Sequence, residues 1–206
     1  EEDAQSWSCL WNSKYQGKLL MFDNPRDAFA IAESMLGYSF NTEDEQEFKN
    51  CADLLATQSP VLQGYVMDQI FDRMERGEAW AAPYYAGDYL TMVEENPDLG
   101  FSHPKEGFNI FIDAMCIPKG CQNKEGAEAF INFLCRPDIS AANLDYIGYS
   151  TPETAAKEYL DEEIVNDPVA YPDDETLARS ESFAELSIEA TQQMNDLWLS
   201  VKTSNS

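Results

Sequence analysis

The chain of 206 residues is 44% hydrophobic and 12% aromatic, enough for a packed core in one large domain or two modest ones, which excludes intrinsic disorder. Thirty-eight acidic residues against thirteen basic ones give a formal net charge of −25, which repels nucleic acid and anionic membrane surfaces and attracts small cations. No apolar run approaches the ~20 residues of a bilayer span, and Glu1-Glu2-Asp3 lacks the basic flank and apolar centre of an export signal, so any such signal is expected upstream.

Trp7, Leu10, Trp11 and Tyr15 are spaced to suit a short helix within residues 1–16, ended by Gly17. Lys18-Leu19-Leu20-Met21-Phe22 reads as a buried strand that Asp23-Asn24-Pro25 turns into a helix. Asn24 has the chemistry of an N-cap, Pro25 of the first helical position, and Asp27 of a first-turn acid; Ala28, Ile31, Ala32, Met35 and Leu36 form the apolar face before Gly37. Local physics accounts for these residues without a ligand. A strand-to-helix turn is also where open α/β sheets place ligand groups, so Asp27 can serve both purposes.

A second amphipathic helix is expected over 43–57, with Phe48, Cys51, Ala52 and Leu55 inside. A short strand over 61–65 leads into a helix carrying Val66, Ile70, Phe71 and Met74 and ending at Arg76-Gly77. Residues 79–85 read as a strand delivering Tyr84 and Tyr85, for which core packing is the plain alternative. A helix over about 88–95 and a short strand over 99–102 precede residues 108–118.

That run, Phe108 to Pro118, has seven large apolar residues, Phe, Ile, Met or Cys, among its eleven and reads as a largely buried strand with Asp113 at its centre. An Asp so placed is exposed, hydrogen-bonded or paired with a cation, and an exposed turn-holding role is the commoner one. Residues 17–118 thus alternate strand and helix, the pattern of an α/β domain. Helices follow over 124–135 and about 138–147, then an acidic segment and a long last helix around 174–201.

Cys9, Cys51, Cys116, Cys121 and Cys135 are odd in number and lack CxxC spacing, which argues against a disulfide scaffold. His103, the single histidine, reads as a loop surface residue; no zinc set and no Ser-His-Asp or Cys-His relay can be assembled without it. No cofactor or metal is expected, and nucleic acid is not an expected partner.

Several blocks carry a resemblance in register over nearly the whole chain. They include Lys105-Glu106-Gly107 with the strand to Asp113 and Ile117-Pro118, then Asn123-Lys124-Glu125-Gly126-Ala127, Ile131-Asn132-Phe133-Leu134, Arg136-Pro137-Asp138 and Ile147-Gly148-Tyr149-Ser150-Thr151-Pro152. Ser6-Trp7, Leu10-Trp11, Tyr15-Gln16-Gly17 and Leu36-Gly37-Tyr38-Ser39 add to them. Together they resemble the spermidine/putrescine-binding proteins of ABC transporters, in their C-terminal part only.

The resemblance implies an α/β, periplasmic-binding-protein-like fold of type II, with a mixed sheet flanked by helices. It further implies closure around a polyamine and delivery to a membrane permease outside the cytoplasm, from a periplasmic or lipid-anchored position. On this reading residues 1–118 form the second lobe with a hinge strand, and 119–206 a helical remainder of the first lobe. A lobe parted from its neighbour is expected to expose apolar surface and to favour self-association.

By the same resemblance Asp113 matches an acid that pairs with a ligand ammonium, and Asp27 stands where a glutamate does so. Asn24 falls where Asp is usual, Tyr85 and Phe111 where tryptophans flank the methylene chain, and Tyr149 matches a tyrosine. A polar contact expected in the last helix falls near Phe183, where no glutamine is present. Polyamine chemistry suits this set, since spaced carboxylates meet ammonium charges and aromatic faces cover methylenes and add cation–π contacts of about 0.5–2 kcal/mol. Alternatives are another small solute, an acidic interaction or sensing module, and, third, an enzyme using paired carboxylates, for which no geometry speaks.

Overall fold

Leu19-Leu20-Met21-Phe22 forms β1 (Leu19–Phe22), every residue of it buried. Asn24 then caps α1 (Pro25–Leu36): its side chain accepts a hydrogen bond from the Arg26 amide at 2.9 Å, Pro25 opens the first turn, and Gly37 closes the helix at φ 74°, the left-handed conformation glycine adopts without strain. α2 (Glu45–Ala56) is capped by Asp44, which accepts from the amides of Gln46 and Glu47. Replacing Asp44 with Ala is expected to cost about 1 kcal/mol, read as a lower denaturant midpoint at unchanged slope.

The architecture is that of a computed structural model that describes residues 2–203. β2 (Leu62–Val66) lies parallel to β1, and the amide of Asp23 extends the ladder to the carbonyl of Val66 at 2.9 Å. α3 (Ile70–Glu75), α4 (Ala86–Glu95), β3 (Phe108–Asn109), α5 (Lys124–Leu134), α6 (Pro137–Ile147), α7 (Glu162–Val165), α8 (Asp174–Leu177), β4 (Ser180–Glu181) and α9 (Ile188–Thr203) follow. β3 and β4 form a second parallel pair.

Two compact units emerge. Among the described residues, one gathers 2–84, 92–111 and 174–203, the other 85–91 and 112–173, so that α4 begins in the second and ends in the first. The first unit holds the larger core: Leu19, Leu20, Met21, Phe29, Phe48, Cys51 and Leu55 are essentially inaccessible, and α2 and α9 pack against α1. Phe29 and Phe48 meet edge to face at 6.0 Å. Each such burial contributes about 1.5–3 kcal/mol. The second unit packs α5 and the 3-10 turn Thr154–Tyr159 on α6 around Ala141, Leu144 and Ala156.

Several elements differ from expectation. Residues 3–15 form three short 3-10 turns instead of one helix, because Ser6 and Asn12 accept bonds from the amides of Ser8 and Lys14 and restart the chain twice. Val66 ends β2 and is not helical. Residues 79–85 make a single bridge, Leu19 to Ala81, since Pro83 has no amide to continue a ladder. Residues 99–102 join no ladder. The long last helix is three elements: Ser180 bonds back to the Leu177 carbonyl, and polar partners hold residues 181–187 out of helix before α9.

The largest correction concerns residues 108–118. Only Phe108–Asn109 is strand, and residues 110–116 are exposed, with Ile112 at 83% and Asp113 among them. An apolar run becomes a buried strand only where neighbours complete its ladder and cover its faces, and here β4 offers two residues. α5 shows the same property: Phe130 is 58% exposed although the helix is amphipathic.

Candidate ligand-binding site

In the first unit, the carboxyl end of β1 delivers Asn24 and Asp27 to the first turn of α1. Asn24 uses its side-chain oxygen as the cap, and Asp27 is only 8% exposed. A carboxylate there is favoured by the helix dipole. Phe22, the last residue of β1, stacks on Tyr84 at 5.8 Å, and Phe71 meets Tyr84 edge to face, so the end of the sheet carries an aromatic cluster. Phe111 closes this unit's share of residues 92–111 and is half-exposed.

In the second unit, Tyr149 lies with its ring directly on Gly87, two residues beyond Tyr85. A Cβ at Gly87 would collide with that ring, so glycine is what admits it. Gly148, at φ 75°, ends α6 and turns the chain so that Tyr149 lands there. Asp113 belongs to this unit and is exposed on the irregular segment. The structure therefore brings Asn24 and Asp27 together on one helical turn, seats Tyr149 on Gly87 in the unit that also holds Tyr85, and assigns Asp113 and Phe111 to different units.

Of the two tyrosines that residues 79–85 deliver, Tyr84 is the one that stacks at the strand end, in the packing role given above as the plain alternative. One feature was not read from sequence. The Arg26 guanidinium sits 4.6 Å from the Phe183 ring centre and donates to Asn41 Oδ1 at 2.9 Å and to the Ala184 carbonyl at 3.3 Å. Phe183 stands before α9, outside the last helix where the resemblance set it, and also meets Phe40 edge to face. A cavity of about 250 Å³ beside them is lined by Pro25, Arg26, Ala184, Leu186 and Met194 among others.

Among the described residues, no helix is long and apolar enough to cross a membrane, and no group of three or more His, Cys, Asp or Glu could hold a metal ion. All five cysteines carry free thiols. Burial pushes the Cys9 thiol up to about 11 and raises that of Cys51 further, so neither is a nucleophile at neutral pH.

The chain belongs to the bacterial extracellular solute-binding protein family, whose model matches residues 3–178. It is 35% identical over 180 residues to the spermidine/putrescine-binding periplasmic protein of Escherichia coli strain K12, covering 87% of this chain and 52% of that one. It is 29% identical over 211 residues to the putrescine-binding periplasmic protein SpuD of Pseudomonas aeruginosa, covering 97% and 58%. Among solved structures it resembles the spermidine/putrescine ABC transporter substrate-binding protein PotD of Streptococcus pneumoniae, with a TM-score of 0.89, 33% identity, and coverage of 98% of this chain and 62% of that one. The α/β periplasmic-binding-protein fold expected from the resemblance is the fold of these neighbours. The chain spans about half the length of the curated relatives it matches.

Proposed function

We propose that this chain is part of an extracytoplasmic solute-binding protein that captures polyamines such as spermidine or putrescine and delivers them to the membrane permease of an ABC transporter. The observation that carries this reading is the similarity to spermidine- and putrescine-binding relatives over nearly the whole chain, joined to a nearly buried acid, Asp27, in the helical turn that follows a strand ending in an aromatic cluster. In this reading Asp27 and Asp113 each take an ammonium group, Asn24 gives a neutral contact, and Tyr85, Phe111 and Tyr149 cover methylene stems. The role is capture and release, without bond-making chemistry. Its relatives are named as binding proteins.

We further assign the apolar face of residues 112–173 to a lobe whose remainder lies in the half that the relatives carry beyond the matched region. The exposed Ile112, Phe130 and Phe133 support this, since a monomer rarely leaves such a surface to water. The test is ligand-induced stabilisation of the intact protein. Spermidine or putrescine at about a hundred times its dissociation constant is expected to raise the melting temperature by roughly 5–10 °C, with butylamine giving little. No shift from either polyamine would overturn the reading.

A further inference from the structure

Glu33 lies in the middle of α1 with no accessible surface, and neither carboxyl oxygen meets a hydrogen-bond donor. Two turns earlier on the same helix, Arg26 has its Nη1 buried and without a hydrogen bond, while Nη2 is spent on Asn41 and Ala184. Asn41 is the centre of a clasp. Its Oδ1 accepts from the Ala184 amide at 2.6 Å, and its Nδ2 donates to Glu181 Oε1 at 2.8 Å and the Ser182 carbonyl at 2.9 Å. Glu181 also accepts from Ser39 Oγ at 2.5 Å and the Phe40 amide at 3.0 Å. The clasp ties residues 181–184 to the start of α1 and to the α1–α2 loop.

We propose that Glu33 is a proton-binding switch, neutral when the clasp is closed as observed and, once ionised, a competitor for Arg26 that loosens the hold on residues 181–184. An ionised carboxylate with no donor is untenable in a dry interior, and Arg26, whose charge attracts it, keeps an unspent Nη1. The groups that act on Glu33 are Arg26 from its own helix, Glu47 from α2 and Glu181 from β4; Cys51 of α2 feels it in turn. The charged residues of α9 are Glu189, Asp196 and Lys202, of which Lys202 is paired with Asp23, and β1 contributes only apolar side chains.

Burial outweighs the attraction of Arg26 and, helped by Glu181 and Glu47, pushes the Glu33 carboxyl from 4.5 up to about 8. Burial also opposes the charge of Glu181, yet the bonds from Ser39, Phe40 and Asn41, with Arg26 beyond, hold that carboxyl below the usual range. Glu33 and Glu181 are thus driven to opposite protonation states within one network. Below about 4.5 the folded and unfolded chains both carry the Glu33 proton. Between 4.5 and 8 only the folded chain does, so the folding constant falls by up to about tenfold per pH unit as pH rises, and levels above 8.

Within this chain the one imidazole that titrates by default in this window is His103, and the comparison with Glu33→Gln removes whatever the rest of the protein contributes. If the ligand assignment above holds, the switch acts on the helix that bears Asn24 and Asp27. The test uses no polyamine, so its failure leaves that assignment standing. On the intact protein, infrared difference spectroscopy should show a protonated-carboxyl stretch at neutral pH that fades around pH 8 and is missing in Glu33→Gln. Melting temperature should fall from pH 5.5 to 8 in the wild type and in His103→Asn, and stay flat in Glu33→Gln. Amide exchange at Ala184 and Phe40 should accelerate above pH 8 relative to Glu33→Gln. The proposal is overturned if the wild-type band is absent at neutral pH, which decides the matter even if the variant does not fold. It is also overturned if Glu33→Gln keeps the slope, or if the two amides keep their protection when Glu33 ionises.

Discussion

Replacing Phe48 with Ala is expected to lower the unfolding free energy of the first unit by about 3–5 kcal/mol, a large share of the 5–15 kcal/mol typical of a folded domain. The ring has no accessible surface and meets Phe29 edge to face at 6.0 Å, so the deletion removes both buried area and an oriented aromatic pair. α1 and α2 are joined there, and backbone hydrogen bonding gives the two helices little freedom to collapse into the void. Urea unfolding followed by tryptophan fluorescence measures it, since Trp198 and Trp11 both belong to this unit. A double-mutant cycle with Phe29→Ala should return a coupling of roughly 0.5–1.5 kcal/mol. A loss below about 1 kcal/mol would show that the α1–α2 contact is not the centre of this core.

The second large effect concerns the two carboxylates. Asp27→Asn and Asp113→Asn should each weaken spermidine binding by roughly 10- to 100-fold, since a hydrogen bond to a charged group contributes about 1.5–3 kcal/mol. The changes are isosteric, so a loss of affinity without a loss of melting temperature marks a ligand role. The two variants also separate the residues by exposure. Asp27 is nearly covered in the unliganded chain and Asp113 stands in solvent, so on the proposed reading an ammonium at Asp27 meets an already desolvated carboxylate and one at Asp113 a hydrated one. Raising the salt concentration should therefore erode the Asp113 contribution more than that of Asp27.

What the sequence disclosed follows from how local the cause is. β1, α1 and its Asn24 cap, α2, α3 and α6 were legible because an apolar period, a capping side chain and a stop residue lie within a dozen positions of one another. Residues 108–118 were misread because strand pattern records only what a segment could bury, and burial depends on partners; Ile112 and Met115 are apolar and exposed. The last helix was misread because Asn41 and Glu181, some 140 residues apart, decide the course of 181–184. The Arg26, Glu33 and Glu181 network is invisible in sequence for the same reason. In a chain with thirty-eight acids nothing local distinguishes Glu33, which is buried without a donor, from the others. Tyr149 lies between these cases: its turn at Gly148 was evident, but its seat on Gly87 was not.

Whether this chain carries carboxylates and aromatics for a polyamine is decided by calorimetric titration of the intact protein with spermidine, putrescine and butylamine, beside the Asp27→Asn and Asp113→Asn variants. Saturable one-to-one binding of at least one polyamine is expected, with little heat from the monoamine and affinity lost in both variants. Heat that is equal in the variants and erased by salt would contradict it, because it would reduce the interaction to the attraction of any small cation by a surface of net charge −25.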